Sequence, residues 1–272
     1  MAPLTTSQAG FVVAGSVVLG CVLLSCSLNG CSAPKQRLIV FAASSLTGVF
    51  AELEREFERV NPKVDVVIHT AGSQALRFQV EQGASADVFA SADLRHVSAL
   101  SASGHLKSHK AFATNSIVLV VPERNPSKVT RLDELSAARR VVMGHPTVPI
   151  GRYGRLLLTR AGLLETVEPH VVSLESNVKL VLAKVELGEA DAAFVYASDL
   201  KGRRVKAVAI PANAQVRAEY HFGVLKGAQP LGERWVDFVL SPTGQRSLKA
   251  FGFEPLGELS GSHERGGGTV GG

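Results

Sequence analysis

Residues 80–94, VEQGASADVFASADL, recur in altered form 105 residues later as residues 185–200, VELGEADAAFVYASDL. Each copy reads as the end of a helix, a glycine, an Ala-Asp pair, a short apolar strand, and a turn carrying Ser and Asp. The period is too long for a solenoid, whose stacked units run to roughly 20–45 residues. Two similar α/β units in one chain predict two similar lobes with a ligand held between them.

Working outward, short apolar runs alternate with helix-period segments through most of the chain, the pattern of parallel strands joined by helices. RLIVFAA (37–43) and VDVVIHT (64–70) read as strands. Between them Leu46, Val49, Phe50, Leu53 and Phe57 fall at helical spacing. Further strands are expected at ADVFASA, SIVLVV, RVVMG, HVVSL, DAAFVY, KAVAI and EYHFGVL, with helices over 151–163, 177–188, 231–241 and 242–252.

The joints between strand and helix hold the chemistry. In an open α/β sheet ligands collect at the carboxyl ends of strands, where following helices begin and their unpaired N–H groups point outward. Such a start carries roughly half a positive charge and several donors, so it binds anions without Lys or Arg. Four joints fit: Ser44-Ser45 after the first strand, AGSQAL at 71–76, GHPTVPIGRYG at 144–154, and SLESNVKLVL at 173–182. Two adjacent serines exceed what helix capping requires. None of the joints carries a metal-ligand or nucleophile signature.

The chain's ends read differently. The first thirty residues contain no Asp, Glu, Lys or Arg, and Phe11–Leu24 is an apolar run of signal-peptide length. LNGC, ending at Cys31, and LLSC, ending at Cys26, both resemble the bacterial lipobox, whose cysteine is acylated after cleavage. Cys31 is the expected lipid-attachment site and Cys26 the alternative. An uncleaved anchor or unlipidated secretion are the other readings. Residues 1–30 are thus read as a signal peptide, 31–36 as a tether, and Gly-rich 258–272 as a disordered tail. All three cysteines, Cys21, Cys26 and Cys31, fall in or just after this leader, so the body has no disulfide and no Cys-ligated metal. Its net charge of +5 is interspersed, and with one Trp and three Tyr there is no basic, aromatic stripe for nucleic acid.

Taken in order, VFAASSL, AGS..L, G.SADVFASAD, VPIGRY, SNV and ADAAFVYASD make Arg37–Gly257 resemble the molybdate-binding proteins that serve ABC importers, in the type II periplasmic-binding-protein class. The resemblance implies two Rossmann-like lobes joined by two hinge strands, here NSIVLVV and EYHFGVL, with the ligand in the cleft. Lobe one would be 37–114 with 222–257, and lobe two 115–221. It implies that Ser45 and Ser73 donate to the oxyanion from lobe one, and that the backbone N–H groups of Ile150 and Val178 and the phenol of Tyr196 donate from lobe two. Ser44 would cap or line the pocket. Three positions depart from the pattern: Ile150 stands where Ala is common, Gln74 where a second serine is common, and Ser176 where an acidic residue is frequent.

The function implied is an extracytoplasmic lipoprotein, monomeric and cofactor-free, that delivers molybdate or tungstate to an ABC permease and its ATPase. The same fold holding sulfate, or a secreted hydrolase built on Ser45, are the alternatives. Other residues invite chemistry but read as structure. Asp87, Asp93, Asp191 and Asp199 suit turns, and His105 and His109 have the i, i+4 spacing of a helical metal site without a third ligand. Arg152 and Tyr153 are expected to be exposed in a first helical turn.

Overall fold

The computed structural model describes residues 34–256, of which the body from Lys35 onward forms one compact unit. The apolar leader, Cys26 and Cys31, and the tail from 257 lie outside the described residues. Among the described residues no helix is long and apolar enough to cross a membrane.

Among the described residues nine strands form one sheet, eight of them along a single path. They are β1 (Gln36–Ala43), β2 (Val64–Ala71), β3 (Val88–Ser91), β4 (Leu106–Pro122), β5 (Val141–Gly144), β6 (Val171–Glu175), β7 (Ala192–Tyr196), β8 (Val205–Val208) and β9 (Arg217–Leu225), in the order β2-β1-β3-β9-β4-β7-β5-β6, with β8 beside β4. The order is its own mirror. In one half β1 pairs in parallel with β2 and β3, and β3 pairs antiparallel with β9. In the other, β5 pairs in parallel with β6 and β7, and β7 pairs antiparallel with β4. The two copies of the repeated stretch contribute β3 and β7, which hold equivalent places. The protein is therefore an α/β molecule of two lobes, joined where β4 and β9 run antiparallel along each other.

Helices α1 (Thr47–Val60), α2 (Ser73–Glu81), α3 (Leu94–Ala102), α4 (Pro149–Arg160), α5 (Leu164–Val167), α6 (Val178–Glu186), α7 (Pro230–Leu240) and α8 (Pro242–Ala250) pack around the strands. β3, β5 and β7 are buried along their whole length, which explains why they read as unbroken apolar runs. α1 turns Val49, Phe50, Leu53 and Phe57 inward. Phe50 and Phe57 meet Trp235 edge-on at 5.7 and 5.3 Å, anchoring α7 under the first lobe.

Three expectations change. The strand foreseen at 116–121 is the second half of β4, whose first half, LKSHKA, is too polar to announce itself because Lys107–Lys110 lie exposed. His109 is consequently on a strand, where i, i+4 neighbours are far apart, and no group of three metal-ligating side chains occurs among the described residues. Tyr153 is buried, because Ile150, Tyr153 and Leu157 form the inward stripe of α4.

Candidate functional site

The short turn that leads into α1, and α2, α4 and α6, all begin at one small cavity of ≈ 10 Å³. Ser45, Ser73, Ile150, Val178 and Tyr196 line it together, between 1% and 6% exposed. Ser44, Gly72 and Asn177 complete much of the wall, and no charged side chain or histidine does.

Each joint is built to leave donors free. After β1 the chain makes a short 3-10 turn, Ser44–Leu46, before α1; neither serine side chain caps the helix. Thr47 Oγ1 instead donates to the Ser44 carbonyl at 2.7 Å. Ser45 Oγ lies 2.8 Å from Tyr220 Oη. At the second joint Gly72 precedes α2 without a side-chain cap, and Ser73 Oγ accepts the Ala92 N–H at 3.2 Å. With that acceptance made, the Ser73 proton is available to another acceptor.

Pro149 occupies the first turn of α4, so the first N–H the helix offers is that of Ile150. The start of α4 presses on the end of β5: a Cβ added to Gly151 would stand 2.2 Å from the Gly144 carbonyl oxygen, and one added to Gly144 would stand 2.9 Å from Ile150 Cγ2. The bulk of Ile150 is thus accommodated against a residue that has no side chain. At α6, Asn177 caps by accepting the Leu180 N–H at 3.1 Å, which leaves the N–H of Val178 without an intrahelical acceptor.

Tyr196 ends β7, held by its N–H donating to Asp199 at 3.2 Å. Burial pushes the Tyr196 and Tyr220 hydroxyls well above the ordinary phenol range, so both are neutral. Burial likewise raises Asp199, against the pull of Lys179 at 2.7 Å. The four helix starts together supply roughly two positive charges. The cavity is therefore electropositive and donor-rich without an ionised side chain in its wall.

Asp93 and Asp199 hold local turns as expected, whereas Asp87 and Asp191 tie segments distant in sequence. Asp87 accepts from Ile39 N at 2.8 Å and Gln229 N at 3.1 Å, while its counterpart Asp191 accepts from Arg139 N and Arg140 N, both at 3.1 Å. Asp93 caps α3 through Arg95 N at 3.0 Å. Burial raises Asp93, but the Arg95 N–H and the Arg152 guanidinium outweigh it and hold the carboxyl below its usual range. The Ser45–Tyr220 contact, the bond from Asn115 Nδ2 to Ser198 Oγ at 2.7 Å and the Asp93–Arg152 contact were not visible in the sequence; each joins residues 59 or more apart in the chain, and local pattern carries no signal of such pairing.

Residues 38–254 match the family described as bacterial extracellular solute-binding protein. The molybdate-binding protein ModA of Mycobacterium tuberculosis H37Rv is 38% identical over 222 residues, covering 79% of this chain and 84% of that protein. ModA of Escherichia coli K12 is 31% identical over 239 residues, covering 81% and 90%. Among solved structures, the periplasmic molybdate-binding protein of Azotobacter vinelandii superposes with a TM-score of 0.71 at 22% identity, over 79% of this chain and 98% of the other. With a family match running from β1 to the end of the described body and two curated relatives similar over most of their length, the chain belongs to the bacterial extracellular solute-binding protein family.

Proposed function

We propose that this chain is an exported, lipid-anchored receptor that captures molybdate, or tungstate, and hands it to the permease of an ABC importer driven by its ATPase. Residues 37–114 with 222–257 form one lobe and 115–221 the other, and the protein works as a monomer without a cofactor. Ser45, Ser73 and Tyr196 donate hydroxyls, and Ile150 and Val178 donate backbone N–H groups. The observation that carries this reading is the cavity wall: donors from four helix starts, and no carboxylate to accept a proton. A fully ionised tetrahedral dianion suits such a wall. Phosphate near neutral pH keeps a proton and needs an acceptor for it. The similarity to ModA proteins supports molybdate among dianions.

The test is calorimetric titration and thermal shift with molybdate, tungstate, sulfate and phosphate at one pH and ionic strength. Molybdate and tungstate are expected to bind with similar affinity. Sulfate, with shorter bonds that stretch several hydrogen bonds at once, should be weaker by at least a hundredfold, about 2.7 kcal/mol. Sulfate or phosphate binding as tightly as molybdate would overturn the ligand assignment.

A further inference from the structure

Several contacts cross from one lobe to the other without touching the cavity, among them Arg217–Glu254 and Lys201–Ala250, and two of them tie helix starts together. On one side, Gln74 Nε2 at the start of α2 donates to the carbonyl oxygen of Ser176 at 2.8 Å. On the other, Arg152 Nε in the first turn of α4 donates to Asp93 Oδ2 at 2.7 Å. Neither pair belongs to the cavity wall.

Both contacts are built with care. A reversed Gln74 amide would set its oxygen against the Ser176 carbonyl, so only one orientation serves; in it, Gln74 Oε1 is buried with no partner among the described residues. The approach at this point is so close that a Cβ on Gly72 would stand 2.4 Å from the Ser176 oxygen. At the other contact the Asp93 side chain is 1% exposed and Arg152 29%, and Arg152 also lies 4.3 Å over the ring of Tyr153, which fixes its guanidinium toward the cleft. Asp93 has a second, same-lobe partner in Arg95 at 3.1 Å, so its charge stays paired when the lobes part.

We infer that Gln74 and Arg152 are clasp residues, which hold the lobes together by reaching Ser176 and Asp93 across the cleft and so set anion affinity without contacting the anion. This rests on reading the cavity as the anion site. If closure is the binding-competent state, apparent affinity scales with the fraction of molecules that are closed. A buried charge-assisted bond contributes more to that fraction than a neutral one. Arg152→Ala should therefore weaken molybdate binding about tenfold and Gln74→Ala roughly threefold. Arg152→Lys, which keeps a charge beside Asp93, should recover part of the loss. Arg152→Ala combined with Asp93→Asn should cost little more than either alone, because the two remove one interaction.

The deciding measurement is hydrogen–deuterium exchange on the purified full chain without ligand, with molybdate titration alongside. The clasp predicts faster exchange in both variants at residues 73–76 and 150–153, the facing helix starts, while exchange in β1 and β5 stays at the parent level. Gly72→Ala, which obstructs the approach from the backbone side, should give the same pattern with Gln74 intact. Unchanged ligand-free exchange at those segments overturns the inference, even if affinity falls. Faster exchange in variants of a chain that binds no molybdate would instead support the clasp and remove the ligand assignment.

Discussion

Ser45 Oγ at the head of the first helix and Tyr220 Oη on the returning strand β9 lie 2.8 Å apart, joining the small cavity to the strand that carries the chain back between the lobes. If the phenol donates, the serine's acceptor is filled and its own proton is free for the cavity. Tyr220→Phe keeps the ring packed edge-on against Phe112 and Phe253 but leaves Ser45 free to rotate. Molybdate affinity should fall by about 1–2 kcal/mol, roughly five- to thirtyfold, with a smaller change in thermal stability. Calorimetry on the variant checks this.

Removing a donor from the wall should cost more. Ser45→Ala, Ser73→Ala and Tyr196→Phe are each expected to lose about 1.5–3 kcal/mol of molybdate binding. Ser73→Ala should also lower stability, since the Ala92 N–H loses its acceptor inside the protein. Ser44→Ala, which removes no assigned donor, should cost under about 1 kcal/mol. Equal affinities across the set would dismantle the proposed cage.

His96 gives the body a pH dependence in acid. Burial lowers its pKa to about 4, with Arg77 and Arg95 acting the same way against the opposing pull of Asp93 and a Thr147 backbone bond. The imidazole is therefore native as the neutral form. The unfolded chain takes up the proton near pH 6.5, so this contribution is whole above that value and is lost as pH falls toward about 4. Melting temperatures of the parent should drop more steeply across this window than those of His96→Gln. Parallel curves would show that His96 does not titrate in this way.

Much of the architecture was legible because β3, β5 and β7 are buried on both faces and because the repeated stretch marks equivalent strands in the two halves. The helix starts were legible through their small and polar residues. What stayed hidden came from contacts between distant segments. Nothing in RAEYHFGVL distinguishes Tyr220, which meets Ser45, from any buried strand aromatic. Arg152 and Tyr153 were misjudged for a different reason: the first turn of α4 faces the other lobe rather than solvent, so a charged residue there finds Asp93 and its neighbour is covered.

Gly151→Ala should injure both stability and binding. Its new Cβ would meet the carbonyl oxygens of Gly144 and His145 at 2.2 and 2.3 Å, backbone atoms that cannot swing aside. Forcing α4 away from β5 should cost about 1–3 kcal/mol and shift the Ile150 N–H out of place. Gly154→Ala is the milder comparison, since its nearest contacts, 3.1 Å to the end of Met143 and 3.2 Å to the Phe194 ring, are side chains at longer range. Similar melting temperatures for the two variants would refute the argument.

Anchoring can be tested separately from capture. Cys31→Ala is expected to release the protein from membranes or block its maturation, leaving molybdate binding by the body intact. If Cys26→Ala does this and Cys31→Ala does not, the acylated residue is Cys26.

On the proposed function, the sealed wall of the cavity would also set the timing of transport. Ser45, Ser73, Ile150, Val178 and Tyr196 are so nearly closed off from water that a bound ion has no exit while the lobes stay together. Its residence time is then the waiting time for them to part. Arrival is a different matter: a chain of net charge +5 draws anions from a distance, and added salt slows that capture. Departure from neutral, buried donors gives salt little purchase. A partner that pries both lobes apart would discharge the cargo without competing for it, whereas one that grips a single lobe would leave the clock running unchanged.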